Sequence, residues 1–146
     1  MSVSVDRTRL EGCSYSMYPI ARRLSRSFSS IATEAAYRDG ADWLDALLVY
    51  LQGNVNFIKE YLEAKIANVS LIDPEGTFLV WLDFRELGLD AKALERFLAH
   101  EAKIALAPGY WFGREGAGFG RMTIGCPRST IKRALDNLAV AAKGLS

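Results

Sequence analysis

Arg121 is the residue of this sequence whose setting most favours binding chemistry. It lies in the stretch GFGRMTIGCPRS, residues 118–129, among small, apolar and strand-forming residues. Burying a charged side chain without a partner is costly, so an arginine in such a strand needs either a carboxylate of its own chain or a ligand. Because a guanidinium can donate two parallel hydrogen bonds to a planar carboxylate, carboxylate binding is the chemistry that Arg121 could perform.

The alternation of side chains along a strand predicts which residues share a face with Arg121. One face is expected to carry Phe119, Arg121, Thr123 and Gly125, and the other Met122, Ile124 and Cys126. The arginine therefore shares its face with a ring, a hydroxyl and small residues, which leave room for a ligand. From the residues alone three settings for Arg121 stay open: binding of a ligand carboxylate, an internal ion pair with Asp83, or a surface position.

Other polar patterns are better explained by structure than by chemistry. The glycine-rich run GREGAGFG, residues 113–120, matches neither GxGxxG nor the Walker pattern and precedes a strand, so it predicts a flexible loop. Ser129 and Lys132 spell SxxK, but they follow a proline at a predicted helix start, where a serine is expected as a cap. The pairs Asp42 with Asp45 and Glu60 with Glu63 are predicted to lie on solvated helix faces.

The sequence predicts no metal site and no disulfide. Cys13 and Cys126 lie far apart, without a CxxC motif, and we expect both to be reduced thiols. His100 is the single histidine and follows an apolar helical pattern, which favours a surface or structural role over a catalytic one.

Composition predicts one ordinary soluble domain. The 146 residues are 50% apolar and 24% charged, with a net charge of +1, which argues against nucleic-acid binding. No apolar run approaches the length of a membrane span and no signal peptide is recognised, so we expect a cytoplasmic protein.

Residues 1–30 are rich in serine and carry a charge of +3. A targeting peptide is less favoured there than a loosely packed segment, because two acids interrupt it.

The elements that would position Arg121 begin with helices. Ala32, Ala35 and Ala36 predict a short helix that ends near Asp39 and Gly40. A long helix follows, with a glycine at position 53. Its predicted buried face consists of Leu44, Leu47, Leu48, Leu51, Val55, Ile58, Leu62 and Ile66.

The second half alternates strands and helices. VSLID (69–73) and TFLVWLDF (77–84) predict two strands, and the second is apolar on both sides, as in a central strand covered on both faces. A helix is expected from Asp90 through Leu94, Phe97 and Leu98, then a short strand in KIALAPG. The stretch around Arg121 forms a further strand, and a closing helix is expected over 127–142 with Ile131, Leu135 and Leu138 inward. The order predicts an α/β sandwich with a small mixed sheet.

Three stretches in this order resemble a known family. They are EAAYRDGADWLDALLVYLQGNVNFIKEYL, PEGTFLVWLDFRELGL and IALAPGYWFGREGAGFGRMTIGCPRS. Together they are similar to the C-terminal part of pyridoxal-phosphate-dependent enzymes of the class I/II aminotransferase fold, in the branch of the MalY/PatB-type cystathionine β-lyases, which are carbon-sulfur lyases. The resemblance runs from about Ser29 almost to the C-terminus.

The resemblance implies a domain division and a role for Arg121. Residues 1–28 would be a remnant of the large domain or disordered. Residues 29–146 would be the small domain of pyridoxal-phosphate fold type I, an α+β domain whose linking helix covers about 30–66. The family's strand arginine binds the substrate's α-carboxylate and falls on Arg121. Tyr110, Trp111 and Phe112 are similar to a segment near the substrate channel, and Thr77 and Phe78 would line the same side.

The resemblance also implies what this chain lacks. In the family, pyridoxal 5′-phosphate accepts electrons from the substrate's Cα, and a β-thiol group leaves an amino-acid substrate. The family's cofactor lysine lies upstream of the match. A weaker similarity of EGCSYSMYPIARRL to the segment after that lysine would place it near Ser4, whereas the first lysine of the sequence is Lys59. We therefore expect no catalytic, cofactor-binding or metal-binding residue in this chain.

Three functional hypotheses stay open at this point. The first is a truncated or degenerate gene product, or a fragment, of an aminotransferase or lyase that is inactive alone and does not bind the cofactor. The second is a stand-alone interaction module that self-associates, as a dimer or other homo-oligomer, or binds a partner through an exposed apolar surface. The third is a subunit that regains activity with a separate large-domain chain. The residues that separate lyase from transaminase lie outside the match.

Overall fold

The computed structural model describes residues 28–145. The predictions made for residues 1–27, including the reduced thiol at Cys13 and the alignment near Ser4, lie outside the described residues. Phe28, the last residue of the predicted remnant, is instead the first residue of a helix. No helix in the described range is long and apolar enough to cross a membrane.

The structure divides into two units between Asp45 and Ala46. In the first unit, α1 covers Phe28–Asp39 and exposes most of its side chains. Gly40 ends it by donating its N–H to the carbonyl of Ala36 at 2.9 Å, and α2, Ala41–Lys65, begins at the next residue. The predicted short helix that ends near Gly40 is therefore confirmed.

In the second unit, four strands form one sheet. They are β1 Ser70–Ile72, β2 Leu79–Asp83, β3 Ala107–Pro108 and β4 Phe119–Thr123. Their order is β1-β2-β4-β3, and each pair of neighbours is antiparallel. The α+β class is confirmed, but the expected mixed sheet is wrong. β2 and β3 run in the same direction, but β4 lies between them, so they do not pair with each other.

One helix lies between β2 and β3 in the chain, and another follows β4. Asp90 caps α3, Ala91–Arg96, by accepting a hydrogen bond from the N–H of Ala93 at 2.8 Å, as predicted. A π-helical turn, Phe97–Glu101, continues the helix. The closing helix α4 covers Arg128–Ala142.

The core lies between the helices and one face of the sheet. From the sheet it takes Val80, Leu82 and Met122, with Ile124 directly after β4, and α3 with its π-turn adds Leu94, Phe97 and Leu98. Its largest fully buried side chains outside the sheet are Phe84, Ile58, Ile131, Leu135, Leu138 and Asn54. The predicted inward residues of α4 are thus confirmed, because the helix repeat and the strand repeat bring these side chains to one interior.

Two predicted apolar faces extend further than the core does. Leu51 is buried in α2, as predicted, whereas Leu44 and Leu48 are 48% and 53% exposed. The core therefore begins near Leu47, about two turns into the helix. β2 is central, as predicted, since it pairs with β1 and β4. The prediction that both its faces are covered is wrong, because Trp81 is only half-buried on the face opposite the core.

Candidate functional site

The face of the sheet opposite the core carries Arg121. Antiparallel pairing sets Trp81 across from Arg121, and Asp83 across from Phe119. Residues paired in this way project from the same face of an antiparallel sheet, so the four side chains form one surface. β3 pairs with the other edge of β4 and sets Ala107 beside Arg121, which fixes the backbone of the arginine on both sides. The predicted face of Arg121 agrees with this register.

The Arg121 side chain lies over an aromatic ring. Its Cζ is 4.3 Å from the centroid of Phe112, a cation–π contact. Among residues 28–145, no carboxylate forms an ion pair with it and no hydrogen bond engages its guanidinium. A ring attracts the cation without occupying its N–H groups, so the guanidinium keeps its donors available.

Asp83, the acid proposed as an internal partner of Arg121, is occupied by another arginine. Nη2 of Arg85 lies 2.7 Å from Oδ2 of Asp83, and Nε lies 3.0 Å from Oδ1. The hydrogen bonds from the Arg85 side chain hold the pKa of Asp83 below its ordinary value, against the opposing effect of its burial. The face thus carries one arginine that is neutralised by a carboxylate and one that is not. This favours the ligand alternative for Arg121.

The loop between β3 and β4 holds Phe112 near the sheet. It contains two short 3-10 turns, Gly109–Phe112 and Arg114–Gly116. The turns pack backbone against backbone, since a Cβ on Gly109 would lie 2.1 Å from the carbonyl oxygen of Gly116. No side chain fits there, which explains the glycine at both positions.

The three candidate rings of this loop take different positions. The hydroxyl of Tyr110 donates to Oε2 of Glu95 in α3 at 2.8 Å and so anchors the loop. Trp111 is 64% exposed. Phe112 alone contacts Arg121. Sequence reasoning named the three rings without separating them, because a loop has no repeat from which directions can be predicted.

Trp81 belongs to the same surface and was not a predicted site residue. Its ring lies nearly perpendicular to that of Phe112, at a centroid distance of 5.3 Å and an interplanar angle of 88°. Its position on the second side of a central strand was the available signal. The register that sets it opposite Arg121 becomes visible only in the folded sheet. Phe78 is 53% exposed and lies next to Gly125, and the prediction that it lines the site with Thr77 stays a prediction.

Asn54 links α2 to the end of the Arg121 strand. It is fully buried, and its Nδ2 donates to the carbonyls of Ile124 at 3.0 Å and Cys126 at 3.3 Å. Its Oδ1 accepts a hydrogen bond from Nε of Arg128 at 3.1 Å. Sequence reasoning missed this link, because the position of an asparagine in a helix does not reveal its burial.

The predicted serine cap of α4 is wrong. The helix begins at Arg128, and its N-cap residue makes no side-chain hydrogen bond to the first turn. Pro127 takes the cap position, which places Ser129 inside the first turn, and the N–H of Arg128 donates to the hydroxyl of Tyr50 at 2.9 Å instead. Lys132 pairs with Asp136 at 2.7 Å, so Ser129 and Lys132 do not form a catalytic pair.

The remaining candidates do not form a centre. His100 is exposed, and so are Asp42, Asp45, Glu60 and Glu63, as predicted. Cys126 is a free, half-buried thiol. In the part of the chain that the structure describes, no group of three or more His, Cys, Asp or Glu residues could hold a metal ion.

Comparison with known proteins gives similarity over most of this chain. No model of a protein family matches it. Protein MalY of Escherichia coli K12 is 40% identical over 111 residues, which are 76% of this chain and 28% of MalY. Cystathionine β-lyase PatB of Bacillus subtilis is 34% identical over 115 residues, 79% of this chain and 30% of PatB. The chain therefore spans less than a third of the length of these relatives.

A solved structure is similar in fold as well. Cystalysin of Treponema denticola, whose crystal contains a pyridoxal 5′-phosphate cofactor, superposes with a TM-score of 0.79 and 35% identity, over 82% of this chain and 30% of cystalysin. The sequence and fold similarities agree with the three motif stretches. They show that this chain belongs to the pyridoxal-phosphate-dependent enzymes of the class I/II aminotransferase fold, as a counterpart of the C-terminal part of MalY/PatB-type cystathionine β-lyases.

Proposed function

We propose that this chain supplies the carboxylate-binding arginine of an amino-acid-processing lyase or aminotransferase, and that it is inactive without a large domain. Arg121 binds the α-carboxylate of the substrate through its N–H donors. The observation that carries the proposal is that Arg121 lies on the open sheet face with no carboxylate partner among residues 28–145, while Asp83 neutralises Arg85 on the same face.

The contribution of Arg121 to the reaction is orientation. Two hydrogen bonds from one guanidinium to one carboxylate fix the rotation of the substrate as well as its position. Orientation of this kind lowers the barrier of a reaction because the entropy of alignment is lost on binding rather than in the transition state. The role of Arg121 is thus to bind and orient the substrate, and it transfers no proton.

The described residues do not fit pyridoxal 5′-phosphate by themselves. Lys59, the first lysine of the sequence, is ion-paired with Asp73. The glycine-rich loop forms no phosphate cradle, since Gly109 and Gly116 face each other's backbone rather than open space. We therefore assign no cofactor-binding residue to residues 28–145.

Carboxylate binding is tested on the chain itself by NMR. In a ¹⁵N-labelled sample, the Nε–Hε signal of Arg121 is identified by its absence from an Arg121→Gln variant. Titration with sodium acetate, against sodium chloride at equal ionic strength, is expected to shift this signal saturably. A response equal to that of chloride would refute carboxylate binding by Arg121.

Cofactor independence is tested by absorbance. The chain mixed with pyridoxal 5′-phosphate is expected to show the spectrum of the free cofactor and no lyase activity. A new absorbance band that survives dialysis and that borohydride reduction fixes to a lysine would contradict the assignment.

A second role is favoured by the exposed apolar side chains of α2. Val49 is 75% exposed and Leu48 is 53% exposed, on a helix whose later turns are buried. Apolar surface of this kind is typical of sites that another polypeptide covers. The candidates are a separate large-domain chain and a second copy in a stand-alone interaction module. Sedimentation of the purified chain tests self-association, and a monomer that binds no apolar dye would contradict the module.

A further inference from the structure

We propose that Phe112 and Trp81 are positioning residues for Arg121, an inference that rests on the proposed carboxylate-binding function. Phe112 holds the guanidinium by its ring, and Trp81 holds Phe112. Neither side chain needs to touch the substrate. Their effect is that the donors of Arg121 are already oriented when a carboxylate arrives.

An arginine side chain can be held in place in two ways. An internal carboxylate restrains the side chain but uses its N–H donors, as Asp83 does with Nε and Nη2 of Arg85. A ring restrains the cation through its π face and leaves those donors free. Arg121 is held in the second way, with Cζ 4.3 Å from the centroid of Phe112. The Arg121 side chain is therefore restrained, while its N–H donors stay available to a ligand.

Phe112 is itself restrained on more than one side. The Trp81 ring lies nearly perpendicular to it, with a centroid distance of 5.3 Å and an interplanar angle of 88°, which is a favourable aromatic geometry. The turn that carries Phe112 begins at Gly109, whose backbone packs against Gly116. Tyr110, at the start of the same turn, ties it to α3 through a 2.8 Å hydrogen bond to Glu95. We therefore expect the Phe112 ring to keep its position against Arg121.

Restraint of Arg121 in the free protein reduces the side-chain entropy that it loses when a carboxylate binds. A long, free arginine loses side-chain freedom when it binds a ligand, and this loss weakens the complex. Where the side chain is already ordered in the free protein, the loss is smaller. Removing the Phe112 ring is therefore expected to weaken carboxylate binding by about three- to tenfold.

The test compares wild type with Phe112→Leu, Phe112→Tyr and Phe28→Leu by NMR. Phe28→Leu is the matched control, since Phe28 is 87% exposed in α1. In wild type, the Arg121 Nε–Hε signal is expected to show the ring-current shift of Phe112 and a high heteronuclear NOE. Phe112→Leu is expected to remove both and to lower acetate affinity, whereas Phe112→Tyr, which keeps a ring, retains them. Trp81→Leu is expected to act in the same direction as Phe112→Leu, with a smaller effect.

The outcomes separate this inference from the function on which it rests. If Phe112→Leu leaves the shift, the order and the acetate affinity of Arg121 unchanged, the positioning role is refuted. If Phe112→Leu disorders Arg121 but neither protein binds acetate, the positioning role stands and the carboxylate-binding function is refuted.

Discussion

Replacing Asn54 by leucine is expected to destabilise the domain strongly, although the residue touches no ligand. Asn54 is fully buried, and its Nδ2 is the side-chain donor to the carbonyls of Ile124 and Cys126. Leucine has the same branched arrangement of side-chain heavy atoms, but it is bulkier and has no donor. The substitution therefore leaves two carbonyl groups without this partner and detaches α2 from the end of β4.

The size of the loss follows from the burial of those groups. A buried polar group that loses its partner costs about 1–3 kcal/mol. Ile124 is fully buried, whereas Cys126 is half-buried, so its carbonyl is closer to solvent. We expect a total loss of about 2–4 kcal/mol, which is a large part of the roughly 5–15 kcal/mol that stabilise a typical domain.

Urea unfolding followed by circular dichroism measures this loss. With a slope of about 2 kcal/mol per molar, the unfolding midpoint is expected to fall by about 1–2 M. Gln52→Leu is the matched control, because Gln52 lies on the same helix and its amide bonds to Asn56 at 3.0 Å in an exposed position. It is expected to change stability by less than about 0.5 kcal/mol. Equal losses in the two variants, or no loss in Asn54→Leu, would refute the reasoning.

Two further predictions concern the contacts between α2 and α4. Gly53→Ala is expected to be nearly neutral, because the gain in helix propensity is offset by the close approach of the added Cβ, which would lie 2.6 Å from Nη2 of Arg128. In an Arg128→Met background this approach is removed, and the same change should stabilise the domain by about 0.5–1 kcal/mol. Equal effects in both backgrounds of this urea double-mutant cycle would contradict the contact. Burial and a 2.5 Å hydrogen bond to Asp136 raise the pKa of Tyr61 to about 12. The folded chain therefore keeps this proton longer than the unfolded chain, so the stability from this group is complete below pH 10 and is lost as pH rises towards 12. Absorbance titration of wild type and Tyr61→Phe should show one late-ionising tyrosine in wild type alone, and ionisation of every tyrosine near its ordinary value would contradict this.

The elements of the fold were largely predictable because apolar periodicity reports burial. The repeats in α2 and α4 predicted Leu51 and Leu135 as core residues, and both are buried. Periodicity does not reveal where a core ends, so Leu44 was predicted as buried but is 48% exposed. It also does not reveal which strands become neighbours, and this is why the sheet was expected to be mixed.

The candidate site was predictable in part. Strand alternation correctly predicted the face of Arg121, because alternation is a local property of the backbone. Its contact with Phe112 depends on a loop packed through two glycines, and its pairing with Trp81 depends on the register of β2 against β4. Asn54 was missed for the same reason. Its partners lie about 70 residues further along the chain, and only the folded structure brings them together.

A chimera tests the proposed role of this chain most directly. The 115-residue stretch of Bacillus subtilis PatB that aligns with this chain is replaced by the corresponding residues of this chain, and cystathionine β-lyase activity is measured. The chimera is expected to be active, and Arg121→Gln is expected to lower kcat/KM by about 100-fold or more, which corresponds to the loss of about 3 kcal/mol for a charged hydrogen-bonded pair. Arg85→Gln is the matched control on the same face and should have a much smaller effect, since Arg85 is already paired with Asp83. An active chimera whose kcat/KM is unchanged by Arg121→Gln would contradict the role assigned to Arg121.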